Sequence, residues 1–592
     1  MRQLPLIFIA VAGSLVASEP TPCPLWDGSE SVAEYAKKVN LPATQTLDLG
    51  NGIKMEMVLI PAGKFMMGMP EPATVDEEGF HLLVNHWPNE YDLFMPQQPK
   101  LNILLITTDQ QRGDSLGVTG NPVIRTPCLD ALARDRNGLC FTNAYAEAPA
   151  CVPQRTAWLT GRHPLSCRQN QWREIPCTTS ETVSGVLAAQ GWYCGVFGKR
   201  HFTPIREPYG FHEMKIYESG RHPVEEDDYL MYLRDQTEWG GYSRAHSVGN
   251  NDIFAAASIL PEREYPSSWV ARESAGFLER HTRERAGQPF FLWTSFNKPH
   301  SPYDPPQPYD RLYRPQQMPR PHLPQGGLAA EIAPIQHVAR HYTWDTMGVE
   351  QMLTSRAYYY GLISHIDDCI QRVIATLDRL GLRDNTLIAF TSDHGDMMGD
   401  HHLFFKAQYL EGSARVPYLW WIPEVCRKAQ GVSAAGTITA PVGVSGVTPT
   451  LLDLAGADKA PSMDADSLLP LLRGEADPAK CEVAAAYSGY QFDRHSAMLR
   501  WDRWKYIYWQ LGDIRQLFDL PNDPGELHNL AEDASHRALA DEAHRRLEER
   551  LAQYPAGRDE VLDRDGKLTG GPFVVPETYQ PPIRGPWGRR PG

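Results

Sequence analysis

Beyond its first twenty residues the chain has no apolar run near the roughly 18 residues that a membrane-spanning helix needs, so none is expected. Its ten cysteines include no Cys-x-x-Cys pair, which argues against a zinc ribbon or a thioredoxin-like centre. Positive charge is in deficit. Fifty-seven Lys and Arg stand against 72 Asp and Glu, a net −15, which excludes nucleic-acid binding as a reading of the whole chain. A locally basic pocket is still compatible with that total. No internal repeat recurs, and 49 Pro with 47 Gly argue against an all-helical solenoid. What remains is ordinary globular composition, 42% hydrophobic and 22% charged. At about 150 residues per domain, 592 residues suggest about four units.

Residues 1–18 have the layout of a secretory signal peptide. A basic start (Met1–Arg2) precedes an apolar run (Leu4–Val16) and the small residues Ala17 and Ser18. A secreted or periplasmic location is therefore expected, without a transmembrane anchor, and export would permit disulfides. Residues 43–70, "TLDLGNGIKMEMVLIPAGKFMMG" within them, alternate apolar bursts with glycine turns, a small antiparallel β pattern. This stretch resembles the opening of the formylglycine-generating enzyme family. The body of that domain and its C-terminal cysteine pair have no match, so residues 19–97 are read as a remnant without oxidase activity, ending in a linker over 71–99.

Residues 98–470 alternate apolar β-type runs with helical patterns, which predicts an α/β domain with a mainly parallel central sheet flanked by helices. The clearest helix is Tyr358–Leu380, where Leu362, Ile366, Ile370, Val373, Leu377 and Leu380 recur at three- and four-residue steps before Gly381. Residues 471–565 change character. "SAMLRW" and "WKYIYW" read as short strands and "ALADEAHRRLEERLAQY" as a helix, predicting a smaller antiparallel subdomain. Residues 566–592 form a Pro- and Gly-rich tail.

Four apolar runs end in polar clusters: "LNILLITTDQQ" in Asp109 and Gln110, "WYCGVFGKRHF" in Lys199 and His201, "PFFLWTSFNKPH" in Lys298 and His300, "NTLIAFTSDHGD" in Asp393 and His394. Ligands of open α/β sheets bind beyond the carboxyl ends of the strands, so the four clusters are expected to converge. Polar residues commonly follow buried strands, and one such cluster alone would carry little. A fifth element, "ACVPQRTAWLTGRHP", places Cys151 before a helical run with Arg155 one turn on. Free N–H groups and the helix dipole favour an anion at such a start, and Arg155 can hold an oxyanion. The plainer fate of a lone cysteine is burial in a core.

The segment Cys151-x-Pro153-x-Arg155 followed by "LTGR" resembles the signature of type I sulfatases of the alkaline phosphatase superfamily. The likeness extends in order through "TTDQQRGDSLG", "GKRHF", "NKPHSPYDPP" and "SDHGDMMGDHHLFFK", and through "LFDLPNDPGELHNLAED" near the end. It spans about residues 100–530. The resemblance implies that Cys151 is oxidised to formylglycine by a maturation enzyme. One hydroxyl of its hydrate would attack sulfur and release the alcohol, and the second would collapse to the aldehyde and expel sulfate. It also implies calcium held by Asp109, Gln110, Asp393, His394 and the modified Cys151, a largely oxygen set suited to a hard cation, with imidazole the less usual member. Gln110 stands where many members have a second Asp, and Gln154 where Ser or Ala is more usual. Further implied roles are sulfate contacts from Lys199 and Lys406, a base at His201 and a general acid at His300. Lys298, His401 and His402 are read as pocket lining.

The reading that results is a sulfuric ester hydrolase acting on a sulfated small molecule or glycan. A phosphonate monoester or phosphodiester hydrolase of the same superfamily is the alternative, since both substrates present tetrahedral anions. A non-catalytic binder of sulfated glycans is a third reading, which needs Cys151 unmodified. A formylglycine-generating enzyme is a fourth, resting on residues 43–70 alone. Trp239, Tyr242 and Trp269, in segment 204–285, either stack on sugar rings at the pocket mouth or pack the loops' own core.

Overall fold

A computed structural model describes residues 100–573 apart from 174–176, 178, 220, 242–247 and 490–494, and before residue 100 only Lys37 and two strands. The chain divides into two compact units, Met1–Gln97 and Gln98–Gly592. In the first, strands β1 (Thr44–Asp48) and β2 (Lys54–Val58) pair antiparallel with Thr44 opposite Val58. The expected β pattern is present over those residues. The signal-like run, the rest of the first unit and the tail from 574 lie outside the described residues.

The second unit is built on a nine-stranded sheet. Its strands in chain order are β3 (Asn102–Asp109), β4 (Gly138–Tyr145), β5 (Tyr193–Gly198), β6 (Glu213–Ile216), β7 (Phe290–Pro299), β8 (Thr386–Ser392), β9 (Arg415–Trp421), β10 (Gly436–Ile438) and β11 (Val442–Gly443). Their spatial order is β10-β4-β9-β8-β3-β7-β5-β6, with β11 also on β4. Only β9 pairs antiparallel with its neighbours β8 and β4. The sheet is therefore mainly parallel, as the alternating pattern predicts.

Strands buried on both faces read as continuous apolar runs, and their side chains divide by period two. Ile103, Leu105, Phe291, Trp293, Leu387 and Ala389 face one core, beside Trp158 of helix α1 (Cys151–Thr160). Leu104, Ile106, Phe290, Leu292, Ile388 and Phe390 face the other. That second core is closed by helices α2 (Pro266–Glu284) and α3 (Val349–Arg379), through Trp269, Phe277, Ile366, Ile370, Val373 and Leu377. Helix α3 begins nine residues before the expected start because Met352, Leu353 and Ala357 prolong its buried stripe beyond the run of tyrosines. It stops where expected. Gly381 adopts φ +68°, its N–H reaches Asp378 O (3.0 Å) and that of Leu382 reaches Leu377 O (2.9 Å), a closure that suits glycine.

The C-terminal part is a four-stranded antiparallel meander: β12 (Glu482–Tyr487), β13 (Ser496–Trp501), β14 (Trp504–Trp509) and β15 (Ile514–Asp519). Ala484, Ala486, Ala497, Leu499, Tyr506 and Tyr508 face helix α4 (Arg537–Leu551) through Ala540, Ala543 and Leu547. Val483, Ala485, Met498 and Ile507 point the other way, into a core shared with Tyr303, Tyr359 and Phe404. The meander is thus apolar on both faces.

Gly198 ends β5 at φ +104°, and a Cβ there would lie 1.9 Å from Ser295 O on β7. Neither the backbone angle nor the interstrand gap accommodates a methyl group. Gly198→Ala should lower stability by about 3 kcal/mol, read as a lower urea midpoint at unchanged slope. An unchanged midpoint would contradict this register.

Candidate active site

The four polar clusters meet at the carboxyl ends of β3, β5, β7 and β8. Asp109 closes β3, and Asp393 and His394 follow β8 directly, because β3 and β8 run side by side from Asn102 opposite Thr386 to Thr108 opposite Ser392. Gln110 turns sharply away at φ +70°. Its backbone N–H donates to Asp393 Oδ1 (3.1 Å) and its carbonyl accepts from Tyr359 Oη (2.6 Å), which pins the strand end. Cys151 is the first residue of α1, and its Sγ lies 3.2 Å from His394 Nε2 and 3.6 Å from Asp109 Oδ1.

Arg155, one turn along α1, is fully buried and ties the strand ends together. Its Nε donates to Asp393 Oδ2 at 2.6 Å, and one terminal nitrogen donates to Lys199 O (3.1 Å) and Ser295 Oγ (2.9 Å). The other lies 3.9 Å from Asp109 Oδ2. Lys199 Nζ donates to the same Asp109 oxygen. Burial would raise the Asp109 pKa, but the charges of Lys199 above all, and of His394 and Arg155, hold it well below the usual carboxylate range. Asp109 is therefore anionic in the interior.

Asp109, Cys151, Asp393 and His394 each present one donor atom, and these atoms lie within 4.8 Å of one another, all buried. His394 Nδ1 faces Gly395 O at 2.9 Å. A carbonyl only accepts, so Nδ1 carries a proton and the ring is fixed with Nε2 toward the two carboxylates. Burial disfavours its charge, yet Asp393 holds its pKa above the usual value, and Nε2 is the atom that would exchange its proton for a metal. Two buried carboxylates and an imidazole fit a divalent cation. The Gln110 side chain adjoins this group: its Oε1 accepts from Lys406 Nζ (2.5 Å) and its Nε2 donates to Asp396 Oδ2 (2.7 Å).

Burial and Asp109 work against ionisation of the Cys151 thiol, yet Lys199, Lys406 and His394 outweigh them and draw its pKa below the ordinary value. Burial instead pushes Cys128, Cys167 and Cys426 to about 12 and Cys140 to about 11. The nine described cysteines are free thiols, so the disulfides that export would permit are absent among them.

His300 follows β7 and is buried. Its Nδ1 donates to Ser301 O (2.8 Å), and its Nε2 accepts from Lys406 Nζ (2.9 Å). Burial and the Lys406 charge hold this imidazole well below its usual pKa. His201, at φ +59°, is held low by burial, Lys199 and Arg221, and its Nε2 accepts from Arg221. Lys406 sits between Phe405 and Ala407, both at positive φ, in a loop that turns it toward Gln110 and His300.

Lys298 Nζ binds Asp304 (2.5 Å) and Pro302 O (2.7 Å), bracing the turn that carries His300. His401 is occupied by Glu331 (2.9 Å) and Gly525 O (2.9 Å). Trp269 is 1% exposed and packs on Tyr229 (5.4 Å), so its packing role is the one observed, and Trp239 adjoins the same core. Tyr242 lies outside the described residues. Sequence reading missed Asp396, although it lies inside "SDHGD". It is fully buried, and its carboxylate accepts from Gln110, Tyr303 Oη (2.6 Å), Met398 N (2.9 Å) and Phe405 N (2.8 Å), which fixes the Gln110 amide and the Lys406 loop.

Residues 101–457, more than half of the chain, match the Sulfatase family model. The chain belongs to the sulfatase family. Residues 399–553 also match the model for the C-terminal part of N-sulphoglucosamine sulphohydrolase. An arylsulfatase of Clostridium perfringens is 31% identical over 492 residues, covering 80% of this chain and 98% of its own. A choline-sulfatase of Rhizobium meliloti is 31% identical over 444 residues, covering 73% and 83%. Among solved structures, the phosphonate monoester hydrolase of Agrobacterium radiobacter superposes with a TM-score of 0.66 at 26% identity, covering 77% of this chain and 96% of that one. The protein is a sulfatase of the alkaline phosphatase superfamily, and hydrolysis of sulfate esters is its activity. The non-catalytic reading falls.

A cation held by the four donors should stabilise the fold. Adding calcium to chelator-treated protein at a hundred times its Kd should raise unfolding free energy by about 2.7 kcal/mol. In Asp109→Asn and Asp393→Asn most of that gain should vanish in a thermal-shift titration. No shift in the unaltered protein would remove the metal from this site.

Proposed function

We propose that this sulfatase hydrolyses sulfate monoesters of a carbohydrate, with Cys151 converted to formylglycine and calcium held by Asp109, Gln110, Asp393, His394 and the modified Cys151. The observation that carries this reading is the setting of Cys151: first residue of α1, drawn toward ionisation, against Asp109 and His394. Its Sγ stands here where the oxygens of an aldehyde hydrate would be. That hydrate would supply the nucleophile and the cation would supply charge. Support for a carbohydrate substrate comes from the match to the N-sulphoglucosamine sulphohydrolase model. The reading includes export, a formylglycine-generating enzyme as maturation partner, and no part in the chemistry for residues 19–97.

The other side chains have roles that follow from their placement. Arg155 is committed to Asp393 and to the end of β5, so it orients the anionic centre rather than moving with substrate. Lys199 and Lys406 bring two ammonium groups to the pocket, where they offset charge on the oxygens of a transferring sulfate. His300 holds a proton on Nδ1 and presents Nε2 to Lys406. A bound ester anion counters Lys406 and so raises the proton affinity of Nε2, which suits His300 to protonate the departing alcohol. His201 is a base for the step that expels sulfate.

A second reading, hydrolysis of phosphonate monoesters, is favoured by one observation, the superposition on the Agrobacterium radiobacter enzyme. Paired aryl sulfate and aryl phosphonate substrates separate the two. The higher kcat/KM should fall on the sulfate, and the peptide of the active protein that contains Cys151 should carry the aldehyde or its hydrate by mass spectrometry. Unmodified cysteine in fully active protein, or a preference for phosphonate, would overturn the proposal.

His300→Ala should cost about 10²–10⁴-fold on alkyl sulfates, whose alkoxides leave poorly without a proton. Nitrophenyl sulfate should lose less, so the variant should show the steeper dependence of rate on leaving-group pKa. An equal loss on every substrate would assign His300 to sulfate binding instead.

A further inference from the structure

Large apolar side chains are rarely exposed among the described residues; Trp172, Phe254 and Ile259 are the examples. Trp172, 42% exposed, stands beside the pocket. Its ring lies 5.4 Å from that of His201, nearly edge-on at 71°. The Arg221 guanidinium lies over the indole at 5.6 Å and donates one N–H to His201 Nε2. An indole, a guanidinium and a pocket histidine therefore form one continuous rim.

The indole is held in place rather than loose. Its loop is pinned on both sides, by Arg168 to Glu560 (2.8 Å), Asn170 to His495 (2.9 Å) and Glu560 (3.1 Å), and Arg173 to Glu560 (3.0 Å), with Gln171 bridged to Ser488. The neighbouring arginines 168 and 173 thus have carboxylate partners, as Arg155 has Asp393 and Lys199 has Asp109. Arg221 differs. It is exposed, and among the described residues no carboxylate lies within ion-pair distance of it. A guanidinium stacked on an aromatic face keeps its N–H edge available for a carboxylate or sulfate.

We propose that Trp172 and Arg221 form a substrate subsite at the pocket rim, in which the indole stacks on the sugar ring bearing the ester and Arg221 pairs with a second anionic group on that substrate. The substrate class is then an acidic saccharide, carrying a carboxylate or a further sulfate besides the sulfate removed. This rests on the carbohydrate sulfatase reading and narrows it. Arg221 is a specificity-determining residue here, and its contact with His201 links recognition of the second anion to the catalytic pocket.

Binding to the full chain carrying Cys151→Ala tests the subsite apart from turnover. Calorimetry would compare sulfated monosaccharides in two matched pairs. One pair differs at C6, carboxylate against hydroxymethyl; the other differs by one additional sulfate. The more acidic member should bind about tenfold more tightly, as expected of a charge-assisted bidentate contact. With Arg221→Gln added, that ratio should fall to about one, whereas Arg221→Lys should retain part of it. Trp172→Ala should weaken every member by about tenfold and Trp172→Phe should recover most of the loss. The pair that responds identifies the carboxylate or the sulfate as the second anion. A ratio near one in the Cys151→Ala protein, or one unchanged by Arg221→Gln, overturns the subsite. Sulfate release from these sugars by the unaltered chain is measured separately. Failure of release with discrimination intact would strike the hydrolase reading alone, and release without discrimination would strike the subsite alone.

Discussion

The interaction on which the site depends is the buried pairing of Arg155 with Asp393, reinforced by its approach to Asp109. Both carboxylates and the guanidinium are fully buried. Removing one partner from such a group leaves an uncompensated interior charge, which typically costs about 3–5 kcal/mol. The arrangement also sets positions. One rigid guanidinium touches β7 at Ser295 and the ends of β3, β5 and β8, so the chemistry can be spread over four strands and still converge to within a few ångströms. The pair contributes registration of the strand ends, and the apolar runs beneath contribute the stability that pays for it.

Charge is distributed so that three cations gather around the three buried carboxylates Asp109, Asp393 and Asp396 in an acidic protein. Arg155, Lys199 and Lys406 surround Asp109 and Asp393, and His394 adds a proton-binding nitrogen. A tetrahedral anion entering this group meets ammonium groups held by short contacts and needs little rearrangement. The net −15 of the chain is carried elsewhere. Whole-chain charge therefore says nothing about the pocket.

Much of this site was legible in the sequence because its residues sit at strand ends, where period and composition change together. Asp109, Lys199, His300 and Asp393 each close a run of apolar residues, and parallel pairing brings those closures to one edge. Cys151 and Arg155 were legible through spacing, one helical turn apart. Residues whose role comes only from tertiary contact were not. Asp396 is one more acid in a polar stretch until its contacts with Gln110, Tyr303 and the Lys406 loop are seen. Trp172 and Arg221 are 49 residues apart, with no periodic pattern to join them. The start of α3 was missed because Gly348 and the run of tyrosines obscure a buried stripe that only packing defines.

The complete burial of Cys151 also has a consequence in time. A small sulfate ester needs far less room than a second protein does, and the folded chain leaves Cys151 no exposed surface, so an enzyme that converted it would act before the fold closes. The core that closes the site draws on β12 to β15, and about 370 residues separate Cys151 from the end of that meander. At roughly 5–20 residues per second, translation supplies them over about 20–70 s. Within that interval the strands that complete this core are not yet all made. If Cys151 is converted as proposed, the pace of synthesis would set a deadline for maturation, and a fold that closed sooner would lock the thiol in unreacted.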